Sequence, residues 1–175
     1  MKILLKIVGG LAVLVLVLVL VSFAFPRHYR VERTLVINAK PEAVLAQVAD
    51  LGAWRNWGAW QERDPGMKLS YSTPSTGIGA WSAWESKQEG NGKMTITALT
   101  AAKVAYHLEF SDMGTQSDGA IELETQAAGV KVVWSDTGDL GMNPMMRWVG
   151  LFLDKSIIGP DFERGLANLK RLVEK

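Results

Sequence analysis

The chain contains no cysteine, which excludes disulfides, thiolate metal sites and thiol nucleophiles. It has only two histidines, His28 and His107. His28 adjoins a long apolar run. His107 alternates with Tyr106 and Phe110, which predicts the outer, solvated face of a strand. Two such separated rings argue against a metal centre. No Gly-x-Ser-x-Gly elbow is present, and no serine is placed with a histidine base, so nucleophilic acyl chemistry has no support. Gly77-x-Gly79 opens a strand rather than a helix, so it reads as a turn and not as a phosphate cradle. A basic stripe is also missing. Of the 19 lysines and arginines, Lys2, Lys6, Arg27 and Arg30 fall in residues 1–30 without an acid, which leaves 15 bases against 18 acids beyond. That balance excludes a nucleic-acid footprint. No motif assigns a catalytic residue, a metal or a cofactor.

What the chain does have first is an uncharged run, Ile7 to Phe25. At about 1.5 Å per residue its length comes to roughly 28 Å, close to the hydrocarbon thickness of a bilayer. Lys2 and Lys6 precede it; Pro26 ends it, and Arg27, His28 and Arg30 follow. A cleaved signal peptide has a shorter apolar core, although Ser22-Phe-Ala24 resembles a cleavage site. The length favours an uncleaved anchor. Residues 1–28 are therefore expected to be a single-pass membrane anchor and 29–175 a separate domain. The positive charges flanking the run are nearly balanced. A short amino-terminal tail and a large following domain favour a cytoplasmic (inner) membrane location with the domain outside the cytoplasm.

Beyond the anchor, Tyr29 to Asn38 alternates as a strand. Pro41-Glu42 opens a short helix, where the missing proline N–H costs nothing and the carboxylate meets the positive end of the dipole. Trp54, Trp57 and Trp60 recur every three residues, which places them on one side of an irregular helical turn. Alternation then predicts strands at Met67–Tyr71, Ile78–Ser86, Met94–Ala98, Val104–Phe110, Ile121–Thr125 and Val130–Trp134. Glu89-Gly-Asn-Gly92 is a strong hairpin signal. Together these suggest one antiparallel sheet of about seven strands with one buried face. Asp136 to Gly141 reads as a loop. Met142 to Ile158 is apolar on several faces, and Gly159-Pro160 predicts a break. Phe162, Leu166, Leu169, Leu172 and Val173 then line one face of a final helix that needs a sheet to lie on.

This order, together with four short stretches, resembles the helix-grip fold of the START-like (SRPBCC, polyketide cyclase/dehydrase-like) superfamily. The stretches are Val36-Ile-Asn-Ala-Lys-Pro-Glu-Ala-Val44, Asp50-Leu-x-x-Trp54-x-x-Trp57, Tyr71 with Gly77-Ile-Gly-Ala-x-x-x-Trp84, and Gly159-Pro-Asp-Phe-Glu-x-Gly-Leu-x-Asn-Leu-Lys170. The resemblance implies an α+β domain whose curved sheet wraps the last helix around a cavity for an apolar ligand. It implies no shared catalytic motif, because members range from polyketide cyclases to sterol and lipid carriers and partner-binding modules.

Seven tryptophans are many for a domain of this size. They serve either as core or as the walls of a pocket. On the second reading the ligand-binding residues are Trp54, Trp57, Tyr71, Trp84, Tyr106, Trp134, Met145, Arg147 and Phe152. Trp60 and Thr125 join the same inward faces. Met142–Ile158 reads either as an ordinary buried helix or as a gate hinged at Gly159-Pro160, with Trp148, Leu151 and Phe152 able to touch lipid. The leading functional expectation is a membrane-anchored module binding a small hydrophobic or amphipathic molecule, such as a lipid. A cyclase-like enzyme is the alternative, and it requires at least two of Tyr71, Tyr106, Asp136 and Arg147 to meet inside one pocket. A ligand-free envelope module is the third.

Overall fold

The computed structural model describes residues 1–174; Lys175, where the expected domain ends, lies outside them. Helix α1 (Lys2–Ser22) is followed by β1 (His28–Ile37), α2 (Pro41–Val48), a 3-10 turn (Ala53–Asn56) and α3 (Ala59–Arg63). The strands β2 (Lys68–Tyr71), β3 (Trp81–Ser86), β4 (Gly90–Thr100), β5 (Lys103–Phe110), β6 (Thr115–Gln126) and β7 (Gly129–Asp139) come next. The chain ends in α4 (Pro144–Phe152), a π-helical turn (Leu153–Ile157) and α5 (Ile158–Val173).

All seven strands form one antiparallel sheet in the order β1-β7-β6-β5-β4-β3-β2. Strands β2 to β7 are a meander of hairpins, and β1 joins it at the far edge beside β7. The α5 helix packs on β1, α2 and α3, with Phe162, Leu166 and Leu169 buried. Gly165 lets it come close, because a Cβ there would press on the Trp134 indole.

Trp134 is the centre of the core and is fully buried. Its ring stacks on Phe162 at 4.0 Å and 7°. Trp54, Trp57 and Trp60 stand against it at 5.6, 5.2 and 6.0 Å. The three-residue spacing of these tryptophans thus does put them on one side, as expected.

Several elements depart from the sequence reading. Residues 136–139 are not a loop: β7 runs on to Asp139 and pairs with β1 along its whole length, from Val130 opposite Ile37 to Asp139 opposite His28. β6 starts six residues earlier than Ile121, at Thr115. β3 starts at Trp81 rather than Ile78, which is exposed in a loop where Gly77 and Gly79 both have positive φ. Gly159-Pro160 is not the break. Both residues lie inside the first turn of α5, and the irregular backbone is the π turn just before it. Gly159 is needed there because a Cβ would collide with the Asp154 carbonyl and the Arg33 guanidinium. Arg33 rivets the joint, donating to the Asp154 carboxylate at 2.7 Å, the Asp154 carbonyl at 2.8 Å and Glu163 at 2.6 Å.

Helix α1 is exposed along almost its whole length, and its mean hydropathy reaches 3.0. It is long and apolar enough to cross a membrane, a property that membrane anchors share with signal sequences.

Candidate functional site

The inner face of the sheet carries glycines where bulky residues would normally fill a core. Gly92, Gly119 and Gly138 each lie beneath an aromatic ring from the neighbouring strand: Trp84, Tyr106 and Tyr29 respectively. A Cβ at any of these positions would occupy the ring's own space. The rings therefore lie close against the sheet instead of standing up from it. Room is left above them, and a cavity of about 380 Å³ occupies it. That is within the roughly 300–1,000 Å³ typical of small-molecule sites.

The floor holds Tyr29, Tyr106, Leu108, Ser117 and Asp136 from the sheet. Trp54, Trp60, Tyr71 and Trp84 form the side walls, and Met146, Val149 and Leu153 from α4 and the π turn form the roof. At one end Arg63 bridges Glu89, at 2.8 Å, and Asp161. Trp60 Nε1 also donates to Asp161 at 3.0 Å.

Asp136 is a buried carboxyl on the floor, with 3% of its surface exposed. The Tyr29 hydroxyl donates to its Oδ1 at 2.8 Å, and the Ser117 hydroxyl donates to its Oδ2 at 3.1 Å. Burial disfavours the carboxylate and raises its pKa to about 6, and the two hydroxyls offset only part of that cost. Burial and the neighbouring Asp136 charge push the Tyr29 hydroxyl well above its ordinary value, so it stays a donor. Each carboxyl oxygen accepts one of these hydrogen bonds and has the capacity for a second, which suits a hydroxyl or amine of a ligand. Tyr106, fully buried beside it, accepts from Trp134 Nε1 at 2.8 Å.

The expected binding residues divide into two groups. Trp54, Tyr71, Trp84 and Tyr106 face the cavity. Trp57 and Trp134 do not line it: they are buried in the core beneath, because α5 and the 3-10 turn close over them. Met145 and Phe152 point outward and are 73% and 55% exposed, since Met146 and Val149 take the inward face of the same helix. Thr125 is likewise exposed, near the end of the β6–β7 hairpin. Arg147 is buried, but it serves the chain and not the cavity. It donates to the carbonyls of Phe25 at 3.0 Å and Gly141 at 3.1 Å, and its guanidinium lies 5.3 Å from the Phe23 ring. Of the four polar groups required by the enzyme alternative, Tyr106 and Asp136 share the floor without a direct hydrogen bond, Tyr71 lies on the wall and Arg147 is elsewhere. Tyr29, Ser117 and the Met146 face were not anticipated. His107 lies on the outer face, where its Nδ1 sits 2.7 Å from Asp118.

Arg147 ties α4 to the end of α1, and its hydrogen bonds to carbonyls are of the charge-assisted kind. Arg147→Ala removes bonding worth about 1.5–3 kcal/mol, so amides of Met145–Phe152 should exchange about tenfold faster or more. Hydrogen exchange with mass-spectrometric readout checks this.

An antiparallel sheet closed by a long helix over an apolar cavity defines a helix-grip, START-like ligand-binding domain. Residues 28–174 match the family model for polyketide cyclase / dehydrase and lipid transport, and the chain belongs to that family. Curated protein sequences give no match. Truncated norcoclaurine synthase from Thalictrum flavum superposes with a TM-score of 0.64 at 12% identity, covering 83% of this chain and 93% of that one. The di-domain aromatase/cyclase StfQ of the steffimycin pathway gives 0.63 at 12% identity, with 84% and 51% covered. The Aha1 dimer from Colwellia psychrerythraea gives 0.56 at 16% identity, with 83% and 96% covered. At such identities the likeness carries the fold alone.

Proposed function

We propose that this protein is a membrane-anchored binding or transfer module for a small hydrophobic or amphipathic molecule. The cavity carries the reading: an apolar chamber of about 380 Å³ with one end of its floor made polar by Asp136, Tyr29 and Ser117. A molecule with an apolar body and a hydroxyl or amine at one end matches that distribution. Lipids and lipid-derived molecules are the class best suited to a domain joined to α1. On this reading α1 holds the domain at the cytoplasmic (inner) membrane, on the side away from the cytoplasm.

The test is native mass spectrometry of the full chain released from membranes, with extraction and identification of whatever leaves with it. Leu108→Trp places an indole in the chamber and is expected to abolish both the adduct and the binding of an apolar fluorescent probe. A variant that still binds with wild-type affinity would sink the cavity reading.

One observation favours a second reading, catalysis. Asp136 has a pKa near 6 and touches a tyrosine hydroxyl, the pairing that proton transfer uses. Asp136→Asn separates the two. A loss of turnover with binding retained supports an enzyme, whereas a loss of affinity alone supports a binding module.

A further inference from the structure

The α4 helix is apolar on two faces. Met146, Val149 and Leu153 roof the cavity, while Met145, Trp148 and Phe152 follow the same spacing on the outside. The outer face is not covered: Met142, Met145, Phe152 and Leu151 are 68%, 73%, 55% and 44% exposed. Surfaces of this kind mark an interaction site.

The contacts with α1 indicate what covers it. Trp148 packs edge-on against Phe25 at 4.6 Å, and its Nε1 donates to the Leu18 carbonyl at 3.3 Å. Leu18 is not at the end of α1. It lies four residues inside Ser22, which at 1.5 Å per residue is about 6 Å along the helix axis. A helix touching α1 at that depth cannot stand clear of the layer that α1 enters. Amphipathic helices lying in a bilayer interface bury their apolar face by about 5–10 Å, which is the same depth. Trp148, with its apolar ring and polar N–H, suits that boundary. Arg147 fixes the arrangement by binding the Phe25 and Gly141 carbonyls.

We infer that the outer face of α4 lies in the headgroup layer of the bilayer that α1 crosses, so that one helix separates lipid from cavity. This rests on α1 being a membrane span. The occupant is the lipid surface and not a second protein copy.

The absence of native cysteine makes the test direct. Single cysteines at Met145 and Phe152 are introduced in the full chain, which is reconstituted in phosphatidylcholine/phosphatidylglycerol vesicles and labelled with a nitroxide. Val13→Cys, in α1, and Gln126→Cys, at the far end of the β6–β7 hairpin, are the controls. Collision with dissolved oxygen and with a water-soluble nickel chelate reports depth. Labels at 145 and 152 are expected to be several-fold less open to nickel, and more open to oxygen, than the label at 126. If they match 126 while the label at 13 sits in lipid, the docking is overturned and the anchor stands. If the label at 13 is also in water, the anchor falls and the docking with it. Dipolar broadening between labels at 145 on separate chains would overturn the proposal in favour of a second copy.

Discussion

Trp134→Ala should lower the unfolding free energy by about 3–5 kcal/mol, the range for large-to-small aromatic deletions in a core. Trp134 is fully buried and touches Phe162 of α5 and Trp54, Trp57 and Trp60 of the run between α2 and β2. None of these rings can collapse into the gap without giving up its other contacts. The loss also leaves the Tyr106 hydroxyl without its donor in a site closed to solvent. At about 2–4 °C per kcal/mol for a chain of this size, the melting temperature should fall by roughly 6–20 °C. Thermal unfolding followed by near-ultraviolet circular dichroism measures it. Trp134→Phe keeps a ring against Phe162 but removes the N–H together with one ring of the indole, so it should cost less than Trp134→Ala. Equal losses for the two substitutions would show that the hydrogen bond, and not the packing, holds this centre together.

Asp136 makes stability depend on pH in an unusual direction. Its folded pKa lies near 6, above the ordinary carboxylate range. Between the two values the folded state binds the proton that the unfolded chain has released, so stability falls as pH rises through this window. Below about pH 4 both states are protonated, and the penalty is absent. Above the folded pKa it is fully present, on the order of 2–3 kcal/mol. Asp136→Asn retains the acceptor for Tyr29 and removes the charge. It is therefore expected to stabilise the protein by that amount at pH 7.5 and to make little difference at pH 4. Urea titrations of both proteins at the two pH values check this. A gap that widens toward low pH would contradict the burial of the carboxyl.

Strands whose inward positions hold large apolar or aromatic side chains were legible, including β2, β3 and β5 beside the cavity, and the halves of β6 and β7 with small or polar inward residues were not. Val104, Tyr106, Ile121, Val130, Val132 and Trp134 alternate cleanly, because each inward position is filled by an apolar side chain. The other half of the same strands has Ser117 and Gly119 in β6 and Asp136 and Gly138 in β7 at inward positions. There the alternation fails, and the sequence looks like turn and loop. The failure is informative: a strand whose inward residues turn small and polar is facing a space. The long apolar helix before Gly159 was readable as a helix, but which residues faced inward was not, since both faces are apolar. Arg147 looked like a ligand-binding cation because nothing in the sequence indicated that the carbonyls after α1 would return to it. The fold needs only patterning; the site depends on contacts between residues far apart in the chain.

The pairing of the first strand with the last also sets an order of events during synthesis. Tyr29 and Asp136 are separated by 107 residues. At roughly 5–20 residues per second, β1 leaves the ribosome about 5–20 s before its partner exists. The β2–β6 meander closes by local hairpins and need not wait. β1 must wait for β7, and long-range closure of this kind slows folding. For that interval β1 carries an unpaired edge, the state most open to wrong pairing. The carboxyl of the floor belongs to β7, its tyrosine partner belongs to β1, and the roof follows both. The chamber is thus the last part of the domain to come into existence.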